Sequence, residues 1–187
     1  MKNSTGLAPK VPKIVLIRGA PAAGKTTLTK KLSMDCKLAH HLSCAYIAED
    51  NFRKQLQQKY ISHEAHMHLK SADYIQSLVL QLLNNDSYDI IFIEGLFRYK
   101  EVLDSYEAFC IRNELILFLF ELRAPLTELY RRDSEYRKSK AGKLEKIYED
   151  ISHYASANTI ILDGLQPIDV NIRKIFDKIC SANSQKV

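Results

Sequence analysis

The stretch Ile14-Val15-Leu16-Ile17-Arg18-Gly19-Ala20-Pro21-Ala22-Ala23-Gly24-Lys25-Thr26-Thr27 decides the fold. Ile14 to Ile17 is a short apolar run rich in β-branched residues, as expected of a strand covered on both faces. Gly19 to Thr26 then matches G-x-x-x-x-G-K-S/T in the strand-to-helix setting that this pattern requires. The glycines let the backbone curl so that successive N–H groups point inward, and the following helix aims its positive end at the same spot. The spacing predicts a phosphate cradle formed by Gly19, Ala20, Ala22, Ala23, Gly24, Lys25, Thr26 and Thr27. Lys25 is expected to reach the β- and γ-phosphates of ATP, and Thr26 to place its hydroxyl on the bridging Mg²⁺.

Working outward, apolar strand-length runs recur at 45–48, 90–93, 115–122 and 159–162, which implies five buried strands. Between them, helical spacing is found at 26–35, 51–59, 64–83, 100–111, 126–137, 144–155 and 170–179. Such alternation predicts an α/β class with a five-stranded, mostly parallel sheet and helices on both faces. Ligands in such sheets bind beyond the carboxyl ends of the strands. Residues 1–12, with Pro9 and Pro12, read as a flexible lead-in, followed by a single domain over 13–183.

A chain of 187 residues with 46% hydrophobic content can build a core without disulfides or structural metal. Its net charge of +5 is too modest for a dedicated nucleic-acid binder and suits an anionic substrate. The four cysteines show no CxxC pairing and the amino terminus has no apolar leader core, so a reducing cytoplasm is the expected compartment. No apolar run approaches the length of a membrane-spanning helix. A monomer or a homodimer is compatible with these features.

The second strand runs directly into Glu49-Asp50-Asn51-Phe52-Arg53, which puts an acid at a strand's carboxyl end beside the phosphate loop. Transfer to a hydroxyl needs a carboxylate to orient the nucleophile and take its proton, and Asp50 is the candidate base. An aspartate there also suits a helix N-cap. Arg53 and Arg98 are candidate acceptor-binding cations, Arg98 being equally readable as a surface arginine. Glu94, ending the third strand, stands where many P-loop proteins carry a Walker B acid, and so serves either Mg²⁺ or a substrate hydroxyl.

Residues 126–155 carry a dense basic stretch that includes Arg131, Arg132, Arg137, Lys138, Lys140, Lys143 and Lys146. An arginine-rich helical lid closing on the phosphates would stabilise transition-state charge and exclude water, with Arg132 and Arg137 as the catalytic pair. The plainer alternative is a solvated charged face.

These motifs resemble the small P-loop kinases, a group with the P-loop NTPase fold that includes gluconate and shikimate kinases, chloramphenicol phosphotransferase, the kinase domain of phage-type polynucleotide kinase, and zeta toxins. The resemblance spans residues 14–180. It implies that Asp50 is the base and that Arg123-Ala124-Pro125 leads into an arginine-bearing lid ending at Arg137. It further implies that Asp163-Gly164-Leu165-Gln166-Pro167 is the adenine-side loop. Asp50-Asn51-Phe52-Arg53 looks like the polynucleotide kinase pattern, whereas Ile93-Glu94-Gly95 with Arg98 looks like that of zeta toxins and uridine kinases.

Two functions follow from the sequence. One is an ATP-dependent kinase moving the γ-phosphoryl group to a hydroxyl of a small molecule or nucleoside, with a nucleic-acid end possible but not favoured. The other is a nucleotide-binding switch or NTPase without an acceptor, which would need neither Asp50 nor the arginine segment. His63, His66 and His68 read as a polar helix surface, their spacing being poor for one metal-binding face.

Overall fold

The computed structural model describes residues 11–59, 64–85, 88–136, 143–154 and 158–181. In chain order the elements are β1 (Lys13–Arg18), α1 (Lys25–His40), β2 (Cys44–Ala48), α2 (Glu49–Lys59), α3 (Glu64–Asn85) and β3 (Ile90–Gly95). They continue with α4 (Lys100–Arg112), β4 (Ile116–Arg123), α5 (Leu126–Tyr136), α6 (Lys143–His153), β5 (Thr159–Asp163) and α7 (Ile168–Ser181). The sheet order is β2-β3-β1-β4-β5, and each of its four pairings is parallel. This is the α/β architecture expected from the alternating pattern.

β1 lies at the centre, and its alternating side chains supply two cores, as a strand covered on both faces must. Val15 and Ile17 face Leu28, Leu32 and Cys36 of α1, Ile175 and Phe176 of α7, and Leu129, Ile147 and Ile151 of α5 and α6. Ile14 and Leu16 face Ile75 and Val79 of α3 and Val102 and Tyr106 of α4. Each such aliphatic side chain contributes roughly 1.5–3 kcal/mol when fully buried.

Three departures from the sequence reading have a clear physical cause. α1 runs on to His40 because Lys37, Leu38 and Ala39 are all good helix formers, and it stops only where His41 turns left-handed at φ 51°. There the Leu42 N–H closes onto the Cys36 carbonyl at 3.0 Å. β5 is not a buried strand: it is the sheet edge and buries only Leu162 fully. The chain is already tied at Pro12, whose carbonyl accepts from the Ile116 N–H at 3.2 Å, while residues 1–10 lie outside the described residues.

Candidate active site

Gly19 follows β1 with φ +154°, and a Cβ there would sit 2.5 Å from the Leu122 carbonyl oxygen of β4. Backbone against backbone leaves no room to give, so only glycine lets the loop start this close to the sheet. Ala22 is left-handed at φ 62° and Gly24 at φ +98°, and α1 begins immediately afterwards at Lys25. Two left-handed turns within three residues curl the chain over the amino-terminal end of α1, where unpaired N–H groups and the helix dipole attract anions. Ala20 and Ala23 are buried, so they offer the loop backbone only; Gly24, Thr26 and Thr27 are exposed. The Lys25 ammonium folds back over this loop and donates to the Ala20 carbonyl at 2.9 Å.

Thr26 donates its hydroxyl to Glu94 Oε1 at 2.8 Å, and the same oxygen accepts from the Tyr46 hydroxyl at 2.9 Å. Burial, with the charge and hydrogen bond of Glu94, pushes the Tyr46 phenol well up, so it stays a proton donor. Thr26 and Glu94 thus present hard oxygen ligands side by side at the loop, a donor set that suits Mg²⁺. Among the described residues there is no cluster of three or more His, Cys, Asp or Glu side chains able to hold a metal.

On the next strand, α2 starts at Glu49 with no connecting residue after β2. Asp50 therefore lies inside the first helical turn rather than at the cap, and the N-cap alternative is corrected. Its carboxylate pairs with Arg53 one turn on. Burial pushes the Asp50 carboxyl up, but the bond and charge of Arg53, with Lys54 and Lys25 behind it, outweigh this and hold it below its ordinary range. Lys25 is the last and smallest of the charges that hold the Asp50 carboxyl down.

Glu49, only 1% exposed, turns the other way. Its Oε2 accepts from the Leu96 N–H at 3.4 Å, and its Oε1 lies 2.8 Å from His68 Nδ1 and 3.9 Å from Arg53 Nε. A Cβ on Gly95 would come within 2.8 Å of that carboxylate, so the glycine ending β3 is what admits Glu49. His68 is buried, its ring edge-on to that of Tyr99 at 5.3 Å, which corrects the polar-surface reading for this residue; His66 is exposed, and His63 lies outside the described residues.

Arg98 is no surface arginine, being only 2% exposed. Its guanidinium lies over the Tyr99 ring at 4.6 Å, bonds the Tyr99 hydroxyl, and stands 3.7 Å from Asp150 of α6. In α5, Arg131 and Arg132 diverge. Arg131 is exposed and paired with Glu128 and Glu135, as a solvated face would be. Arg132 reaches inward, donating to Ala23 of the phosphate loop at 3.4 Å and to the Gly164 carbonyl at 3.0 Å, with Glu128 Oε1 at 2.7 Å behind it. The two arginines push the Glu128 carboxyl down to about 2. Arg137 lies outside the described residues.

The Zeta toxin family model matches residues 2–105, more than half of the chain. The chain belongs to the zeta toxin family. The part matched to the zeta toxin model carries Lys25, Thr26, Asp50, Glu94 and Arg98, while α5 and α6 lie beyond it. No curated protein matches this zeta toxin family member in sequence. Among solved structures it is similar to a gluconokinase from Sinorhizobium meliloti 1021, with 10% identity, a TM-score of 0.64, and 92% of this chain and 94% of that one covered. It is also similar to the Mycobacterium tuberculosis APS kinase in complex with AMPPNP and APS, with 17% identity, a TM-score of 0.68, and 90% and 98% covered. At such identities the likeness concerns the fold, which is that of the P-loop kinases. No helix among the described residues of this zeta toxin family member is long and apolar enough to cross a membrane.

Proposed function

We propose that the protein is an ATP-dependent phosphotransferase that moves the γ-phosphoryl group to an alcohol of its acceptor. The observation that carries this reading is the meeting of donor and acceptor chemistry at neighbouring strand ends. Lys25 and Thr26 follow β1, Glu94 is the last residue but one of β3, and the ionised Asp50 follows β2. In a parallel sheet these ends share one side, where ligands of such folds bind.

The residues divide the work. The N–H groups of the 19–24 loop, Pro21 having none, and those at the start of α1 hold phosphate oxygens, and Lys25 exchanges its bond to the Ala20 carbonyl for them. Thr26 and Glu94 would hold Mg²⁺, and that ion would supply charge neutralisation to the phosphates. Asp50 accepts the proton of the attacking hydroxyl, with Arg53 keeping it ionised and correctly turned. Arg132, already between the phosphate loop and the Gly164 loop, adds positive charge where it develops, and Arg137 is assigned to the same lid. Arg53 supplies a cation for an anionic part of the acceptor, and Arg98, buried beside Tyr99 and Asp150, adds positive charge from behind.

The test is ADP release by the purified protein with Mg²⁺–ATP, measured above the water background across nucleosides, sugars, nucleotide sugars, aminoglycosides and 5′-hydroxyl oligonucleotides. One acceptor class raising ADP release and gaining phosphate is the expected result. Nucleotide turnover that no acceptor changes would point instead to a switch or NTPase.

A further inference from the structure

Arg18 ends β1 and immediately precedes Gly19, yet it is completely buried and reaches partners more than a hundred residues away. Its Nε and Nη2 donate to Glu121 Oε2 of β4 at 2.9 and 2.5 Å. Nη2 also donates to the Ile151 carbonyl at 3.0 Å, and Nη1 to the Tyr154 carbonyl at 3.1 Å. Glu121, itself buried, takes Arg123 on its other oxygen at 2.7 Å, so the carboxylate is held in place from both sides.

The two carbonyls matter because of where they lie. Ile151 is in the last turn of α6 and Tyr154 follows the helix end at His153. Carbonyls there have no partner within the helix and carry the negative end of its dipole, so a buried guanidinium is a strong holder for them. One residue earlier than Ile151, Asp150 faces Arg98 beyond the end of β3. The final turn of α6 is therefore fastened to two strand ends, that of β1, which carries the phosphate loop, and that of β3, next to Glu94. α6 packs in turn against α5, whose Arg132 touches the loop from the other side.

We propose that Arg18 is a positioning residue which ties the carboxyl-terminal turn of α6 to the phosphate loop, so that nucleotide held on the loop orders the α5–α6 pair. This rests on the nucleotide-binding part of the function proposed above. The backbone at Gly19 is pressed against the Leu122 carbonyl on one side and continues into the Arg18 anchor on the other. The loop and the base of the lid helix consequently share one rigid support.

The experiment is amide hydrogen exchange over the start of α1 and over 143–153, with and without saturating Mg²⁺–AMPPNP, on the parent, on Arg18→Lys and on the double replacement Arg18→Met/Glu121→Leu. A lysine cannot span Glu121 and both carbonyls, and apolar residues in place of a buried ion pair generally preserve stability, so the double replacement decides should Arg18→Lys fail to fold. In the parent, AMPPNP should slow exchange at the start of α1 and over α6. In the folded variants the slowing at α1 should remain and that over α6 should be lost. Slowing over α6 equal to the parent's overturns the proposal, as does its loss at α1 and α6 together, which a purely structural defect would give. A parent that phosphorylates an acceptor while its variants keep the α6 response sinks the anchor alone. Retained coupling with no transfer to any acceptor sinks the phosphotransfer reading alone, and a parent that does not bind AMPPNP sinks both.

Discussion

Thr26 in the first turn of α1 and Glu94 near the end of β3 are joined by a 2.8 Å hydrogen bond from hydroxyl to carboxylate, with Tyr46 bonded to the same oxygen. The bond settles the direction in which Glu94 points, toward the phosphate loop. It favours the metal side over the acceptor side for this residue.

Glu94→Gln should therefore raise the Mg²⁺ concentration needed for half-maximal ADP release by about 10- to 100-fold, the usual cost of losing an outer partner of a metal. The check is a Mg²⁺ titration at saturating ATP. An unchanged midpoint with a weakened acceptor KM would move Glu94 to the acceptor.

Lys25→Ala should cut turnover by about 10²- to 10³-fold, the typical worth of one positioned charge at a developing anion. Lys25 is no part of either core, so the melting temperature should hold. Steady-state rates beside a thermal melt decide it, and undiminished turnover would remove the loop assignment.

Asp50→Asn should keep nucleotide affinity and lower transfer by about 10²- to 10⁴-fold, the usual contribution of a general base. The pH profile adds an independent check. The Asp50 carboxyl is depressed, so the basic form persists as pH falls and the acid limb of kcat/KM lies below the ordinary carboxylate range. Arg53→Met removes the depressing partner and leaves burial, which acts upward, so the limb should move to higher pH. A limb that does not move would detach Arg53 from the base.

Arg132→Ala, and Arg137→Ala beside it, should reduce kcat more than they weaken ATP binding, because a lid cation acts chiefly on charge that appears during transfer. Kinetics paired with an AMPPNP affinity measurement tests this. Arg131→Ala serves as the contrast, since its side chain faces solvent and should change neither quantity.

Gly95→Ala should lower stability by about 1–3 kcal/mol, the range for an overpacked site, because its Cβ would meet Glu49 Oε2 at 2.8 Å and the Phe97 ring at 2.9 Å. Denaturant unfolding measures it. An unaltered midpoint would mean that Glu49 can withdraw at little cost.

What the sequence made legible is what local chemistry encodes. The apolar run before Gly19 and the fixed spacing to Lys25 and Thr26 announce the loop, since strand, turn and helix follow one another within a few residues. An acid straight after the second strand, Asp50, is likewise visible in the sequence, while its work as a base remains the proposal made above. Arg18, by contrast, carries no motif: its partners Glu121, Ile151 and Tyr154 are brought to it only by the order of the strands. His68 departs from its sequence expectation for a related reason. Helical spacing separates it from His66, but only the packing of α3 against α2 and α4 says which of the two faces inward. Arg98 was ambiguous until Asp150 and the Tyr99 ring enclosed it.

The central place of β1 also governs when the site can exist during synthesis. Lys13 is flanked by Ile90 on one side and Ile116 on the other, so both supports of the earliest strand are made of chain that leaves the ribosome much later. A nascent chain halted before β4 has Gly19 but not the Leu122 carbonyl it rests against. Such distant parallel pairing makes for slow folding, and here it also makes nucleotide competence a late event. Fragments released early should carry the whole phosphate-loop sequence and yet no working phosphate site.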